Sequence, residues 1–410
     1  MLASLEDTEE GARGGSPCVP SVRFFVTVPR RTRSSGHVSH VSSPSSQGQA
    51  PLRTVQVLGG GNAGSSAHVR SLTAGLVARG VRVTVCAPSE SDHAYDFSGA
   101  GADHVPVPRS SDPGSVAALR AACSDADLVH AHGLHASFRA VLALSGRRTP
   151  LIVTWHNGAR AEGARAHLLR VLERRVVKAA TVVLGTTSDL VDRARRTGAR
   201  DARLAAVSLP GQRASGVLPG DKVRAELGVG ERPLLLAVGS LDRYRGYEVL
   251  LDAARSWRFL DPVPLVVVAG EGPLRGELQA RIDREGLPVL LVGRRDDVPE
   301  LLGAADLALL PGADESRSVF AQEALRAGVP LVAPLTGGVR ELVGDAAELV
   351  AVGDAEALAG AVVRLLGDAE RRDALRESGE RQVGSWPTED ETVAQVLSVY
   401  DELTQPRPIG

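Results

Sequence analysis

Cysteine is scarce in this chain: Cys18, Cys86 and Cys123 stand far apart. None has the paired spacing that a metal ribbon, a redox dithiol or a disulfide framework needs, and a reducing cytosol fits. Aromatic residues make up only 3% of the sequence, so a groove that stacks on bases or sugar rings has little to be built from. Lysine occurs only at Lys178 and Lys222, with arginine supplying the other cations, a bias that points to GC-rich coding more than to a function. The net charge of −2 lacks the cationic surplus expected of a nucleic-acid partner. No apolar run reaches the ~18 residues of a membrane-crossing helix. The N-terminus also lacks the charged, apolar and small-residue order of a signal peptide, which again places the chain in the cytoplasm.

What is present is ample hydrophobic material. A chain of 410 residues that is 43% hydrophobic can fill two packed domains, and its alternation of strand and helix patterns is that of α/β units. Residues 1–52 differ in kind, being rich in Ser, Gly, Pro and Arg, and read as a disordered extension. Between Ser21 and Arg53 stand five Arg and no acid, which reads as a solvated basic tail, the alternative being contact with anionic lipid or nucleic acid.

From Thr54 the pattern is strand, glycine loop, helix, strand. Gly59, Gly61 and Gly64 satisfy the dinucleotide fingerprint between a strand and a helix. An NAD(P)-dependent oxidoreductase would want an acid at the tip of the second strand, yet that tip reads Ala87-Pro88-Ser89 and Glu90 arrives late. Ser89 to Pro113 is polar and variable. Asp125-Ala126-Asp127 spells a metal-binding DxD, but it precedes its strand, whereas parallel sheets build sites at the strands' carboxyl ends. His130 and His132 point the same way from that strand with no third ligand near in sequence, so no metal site is expected. His132 and His156 each sit at a strand's carboxyl tip, where a cleft-facing hydrogen-bonding role competes with that of a capped structural histidine. Leu168 to Lys178 is a basic amphipathic helix, read as a solvated face or as a peripheral contact with the inner membrane surface.

Val207 to Asp221 has the Pro, Gly and Ser content of an interdomain connection, after which the alternation restarts. Near its end, Glu315 and Glu323 bracket seven residues, with a helix pattern beginning near Ser318. A helix start offers free N–H groups and the positive end of the backbone dipole to a phosphate, while carboxylates accept hydrogen bonds from vicinal hydroxyls. The pair therefore points to a sugar or ribose bearing a diphosphate, the plainer alternative being an acidic cap and a surface Glu.

Glu315, Glu323, the run Ala324 to Pro330, and Thr336-Gly337-Gly338 followed by Glu341 resemble the E-x7-E region of family 4 glycosyltransferases, over roughly Thr54 to Leu403. That resemblance implies the GT-B fold: two Rossmann-like, doubly wound domains facing a cleft. The first would span 53–208, joined by a crossover helix at 386–405, and bind the acceptor; the second, 221–385, would bind the donor. It implies a retaining, metal-independent transfer from a UDP- or GDP-sugar, with no cofactor, to an unidentified glycan, lipid or small-molecule acceptor. By carry-over, Glu323 would bind the ribose hydroxyls and Glu315 the transferred sugar. The amides around Ser316, Ser318 and Val319 would hold the distal phosphate. The backbone at Gly293 and Arg294 would read the base, and the loop after Gly239 would clamp the diphosphate. Where the family writes Arg and Lys in that loop, this chain has Ser240 and Arg245, with Arg243 nearby. His156 would touch the donor sugar and, with Glu315 and Arg245, form the catalytic set. Gly61, Gly64, Ser65 and His68 would line the cleft from the first domain. The family's Gly-Phe-Gly is replaced by Ser316-Arg317-Ser318, which removes backbone freedom. A catalytically inactive sugar-nucleotide binder is the other alternative.

Overall fold

The computed structural model describes residues 50–59, 63–158, 163–208, 220–312 and 317–405. Gly61, Glu315 and Ser316 lie outside the described residues, as do most of the expected N-terminal extension and of the 207–221 connection.

The first sheet takes its strands from the first half of the chain: β1 (Arg53–Leu58), β2 (Arg82–Ala87), β3 (Asp103–Pro106), β4 (Leu128–His132), β5 (Leu151–Trp155), β6 (Val182–Gly185) and β7 (Ala202–Leu204). Between them run α1 (Ala63–Val77), α2 (Ser89–Tyr95), α3 (Pro113–Ala122), α4 (Leu134–Ala143), α5 (Gly163–Ala179) and α6 (Ser188–Thr197). Every strand pair is parallel, in the order β3-β2-β1-β4-β5-β6-β7.

The second sheet repeats the plan with β8 (Leu234–Val238), β9 (Leu265–Ala269), β10 (Val289–Gly293), β11 (Leu307–Leu309), β12 (Leu331–Pro334) and β13 (Ala347–Val350). Its helices are α7 (Gly220–Glu226), α8 (Tyr247–Trp257), α9 (Arg275–Glu285), α10 (Val298–Ala304), α11 (Val319–Arg326), α12 (Gly337–Val343) and α13 (Ala355–Gly367). The strand order is β10-β9-β8-β11-β12-β13, again parallel. Then α14 (Ala369–Ser385) and α15 (Glu389–Thr404) close the chain.

Parallel strands covered by helices on both faces read as unbroken apolar runs, which is why Leu234 to Ala237 and Leu265 to Ala269 are buried throughout. Each sheet has a core on either face, and the fully buried Trp257 of α8 anchors one of them. A buried Leu or Val contributes about 1.5–3 kcal/mol, so these cores dominate the favourable side of folding. Helix α15 starts with a capping box formed by Thr388 and Glu391 and packs Val393, Val396, Val399 and Tyr400 against Val69, Leu72 and Leu76 of α1. The C-terminal helix is thereby part of the first sheet's core.

Two sequence readings change. The stretch from Ser89 to Pro113 holds α2 and β3, the latter an edge strand only partly buried and so without an apolar run to betray it. Helix α1 begins at Ala63, so Gly64, Ser65 and His68 lie on its first two turns instead of in a loop; Gly64 and the small Ser65 and Ser66 are tolerated there because tertiary packing outweighs propensity. Among the described residues, no helix is long and apolar enough to cross a membrane.

Candidate functional site

Strand order reverses between β1 and β4 in the first sheet and between β8 and β11 in the second. Open α/β sheets place ligand sites outside the carboxyl ends of their strands at such a reversal. In the second sheet, Gly239, Gly270 and Gly293 meet there: Gly239 N donates to Ala269 O (3.0 Å) and Gly270 N to Gly293 O (2.8 Å), and any Cβ on Gly270 would strike the Gly239 carbonyl. The loop after β8 turns through Gly246, whose φ of +70° favours glycine and whose Cβ would collide with the Pro311 carbonyl. The Arg245 backbone abuts Gly312, because a Cβ on Gly312 would lie 3.0 Å from the Cα of Arg245. Arg245 is thus set beside the segment that leads to Glu315.

In the same loop, Asp242 accepts from the Ser240 hydroxyl (2.7 Å) and the Tyr244 amide (3.1 Å), and lies 3.9 Å from the Arg245 guanidinium. Arg243 is exposed. Arg294 is also exposed, near Asp296.

Glu323 lies on α11, only 9% exposed, and among the described residues its Oε1 has no hydrogen-bond partner. Burial pushes its carboxyl up to about 7, against a smaller opposing pull from Arg326. At the start of α11, the Ser318 hydroxyl accepts from Ala321 N (3.3 Å). The amides of Val319 and Phe320 have no carbonyl within the helix to reach, as in any first turn.

The first sheet offers histidines. His132 stands opposite Leu58 at the β1–β4 reversal. Its Nε2 lies 2.9 Å from Gln56 Oε1, an atom that can only accept, so Nε2 donates; the neutral ring's Nδ1 then accepts from His156 Nε2 at 3.3 Å. Gln56 Nε2 donates to the Tyr400 hydroxyl (2.8 Å), which faces His130 Nδ1 (2.9 Å), and His130 Nε2 lies 2.7 Å from Thr154 Oγ1. His68 meets His156 edge-on, with ring centroids 5.4 Å apart. Burial lowers the pKa of His68 to about 4 and that of His130 to about 3, and depresses His132 and His156 well below the usual imidazole range. All four rings are neutral at pH 7. His132, expected at the cleft surface, is 4% exposed and sits beneath His156 because it belongs to a strand buried along its length. Asp127 of the DxD triplet bonds the Arg53 backbone and side chain, which gives it a structural partner at the strand's amino end.

The two sheets meet along a seam. Both carboxylate oxygens of Glu341 accept from Ser188 N, at 3.0 and 3.1 Å, and the Asp189 carboxylate occupies the place a Cβ on Gly337 would take. A cavity of about 380 Å³ opens between them, with Thr187, Arg317, Glu341 and Gln395 in its wall. Neither Arg317 nor Gln56 was singled out from sequence. The signals were a departure from the family motif and a polar residue inside an apolar strand.

The glycosyl transferases group 1 model matches residues 221–382, and the glycosyl transferase 4-like domain model matches 63–210. A D-inositol 3-phosphate glycosyltransferase of Salinispora tropica is 32% identical over 311 residues, which cover 67% of this chain and 64% of that protein. Its counterpart in Salinispora arenicola is 31% identical, covering 69% of this chain and 71% of that one. The chain thus spans about two thirds of the length of these relatives. Among solved structures, Anabaena Alr3699/HepE in complex with UDP and glucose shares the fold, with a TM-score of 0.73 at 18% identity over 86% of this chain and 99% of that one. With two parallel sheets in the GT-B arrangement and these matches along both halves, the chain belongs to the group 1, family 4 glycosyltransferases.

Proposed function

We propose that this member of the family transfers a sugar from a nucleoside diphosphate sugar to an acceptor hydroxyl with retention of configuration and without a metal. The observation that carries this reading is Glu323: a buried carboxyl whose Oε1 lacks a partner among the described residues is costly unless a ligand supplies one, and ribose hydroxyls are donors of the right kind. The amides of Val319 and Phe320 would receive the distal phosphate, with Arg245 offsetting its charge. The bond from the anomeric carbon to phosphate breaks as the acceptor oxygen bonds the same face, and the acceptor's proton passes to the departing diphosphate. His156 would hold the sugar from the opposite sheet. HepE structures contain UDP, glucose and UDP-glucose, and the curated relatives are named for an inositol phosphate, which supports a UDP donor and a phosphorylated or polyol acceptor. A nicotinamide enzyme would leave Glu323 and the Arg245 loop without roles.

A thermal-shift titration with UDP, GDP, their glucose and mannose conjugates, and NADH tests the donor reading. A true donor at 100 times its Kd should stabilise the protein by about 2.7 kcal/mol, and NADH should do nothing. A shift with NADH alone, or with no nucleotide, would overturn it. Retention is read from the anomeric proton coupling of the product.

A further inference from the structure

Arg317 stands at the Phe position of the motif this chain resembles, and its surroundings do not account for it. Arg317 precedes α11 and crosses the seam toward the first sheet, where its Nη2 reaches only the Val207 carbonyl, at 3.5 Å. Among the described residues, its sealed Nε has no hydrogen-bond partner and its guanidinium forms no ion pair. Among the described residues, the acid whose charge it feels, Glu341, already gives both oxygens to the Ser188 amide. His68 and His156, which also feel the charge of Arg317, are neutral and offer it no counter-charge. The wall of the same cavity also holds Thr187, 1% exposed, whose Oγ1, among the described residues, is likewise buried without a partner although it heads α6.

A side chain held this way works against folding. Truncating a paired buried charge destabilises a protein, but removing an unpaired one relieves a desolvation penalty of several kcal/mol by continuum reasoning, of which partial exposure keeps only a fraction. Retention of such a charge in a cavity is the pattern of a ligand-binding group.

We propose that Arg317, with the Thr187 hydroxyl, receives an oxyanion of the substrate in the cavity between the two sheets. The oxyanion is a phosphate, carried either by the donor diphosphate, in which case Arg317 restores from the opposite side the cation missing at Ser240, or by a phosphorylated acceptor. This rests on the donor reading only for the identity of the ligand, since the unpaired guanidinium stands by itself.

Isothermal titration of the full chain, wild type against Arg317→Met and Arg317→Lys, separates the cases with UDP, uridine, pyrophosphate and glucose 6-phosphate as probes. We expect Arg317→Met to melt no lower than the wild type without ligand, to lose at least tenfold in affinity for one phosphorylated probe, and to leave uridine unaffected. Arg317→Lys should recover part of the loss. A loss confined to UDP and pyrophosphate names the donor as the source, and one confined to glucose 6-phosphate names the acceptor. Equal affinities of wild type and Arg317→Met for every phosphorylated probe, no phosphorylated probe bound by the wild type, or a loss shared by uridine, would overturn the proposal. If UDP binds and neither it nor any other phosphorylated probe distinguishes the two proteins, this inference falls and the donor reading stands; if only the non-nucleotide phosphates bind and they respond to Arg317, the reverse holds.

Discussion

Replacing Glu323 by Gln should stabilise the ligand-free protein at alkaline pH and change it far less at acid pH. Burial holds this carboxyl at about 7 in the folded chain against an ordinary 4.5, so folding raises its proton affinity. Its contribution is therefore whole below the unfolded value of 4.5 and is lost as pH rises through about 7. With those two values, linkage makes the loss between about pH 5 and about pH 8.5 come to about 2.5 kcal/mol. Gln matches the protonated carboxyl in shape and cannot ionise, so it escapes that loss. Urea midpoints of both proteins, taken without ligand across the pH series, isolate the effect, because every other titrating group cancels in the difference. A difference that is flat with pH would show that Glu323 is not held in a desolvated site, and the argument for a hydroxyl ligand would fall with it. Binding should run the other way. Hydroxyls donating to the carboxylate favour its charged form, so UDP binding at pH 7 should release about half a proton from wild type and none from Glu323→Gln.

Two further outcomes follow from the packing. Tyr400→Phe removes the hydroxyl that bonds Gln56 and His130 in a fully buried site, and should cost about 1–3 kcal/mol in urea unfolding; an unchanged midpoint would mean the two partners find substitutes. Gly246→Ala forces a left-handed residue, at about 1–2 kcal/mol, and drives its Cβ onto the Pro311 carbonyl. It should lower the melting temperature and weaken UDP binding together, and wild-type affinity in that variant would separate the Arg245 loop from the donor site.

Most strands of both sheets were legible because strands buried on both faces carry unbroken Val and Leu runs, whatever lies around them. The edge strands β3 and β13 and the short β7 were not, since partial burial leaves no apolar run in the sequence. The Glu315 and Glu323 spacing suggested a hydroxyl-binding pair, but the protonation of Glu323 depends on how deeply α11 packs, a tertiary fact. The seam was hidden for the same reason. Glu341 capping the first amide of α6 joins residues 153 positions apart, and no local pattern announces it.

The chain of hydrogen bonds behind His156 gives the C-terminal helix a hold on the cleft. Gln56 is fixed at both ends of its amide: its Nε2 donates to Tyr400 of α15, so its Oε1 must face His132. That choice dictates the rest, since His132 Nε2 must donate, His132 Nδ1 must accept and His156 Nε2 must be the protonated nitrogen. His156 Nδ1 is then left as an acceptor. Burial keeps the ring neutral, and the nearby charge of Arg317 pushes the same way. A neutral imidazole with its tautomer set from behind can accept a sugar hydroxyl's proton in a hydrogen bond without attracting a counter-ion into the cleft. The role proposed for His156 thus depends on a tyrosine 244 residues later in the chain, and so on the docking of α15 against the first sheet.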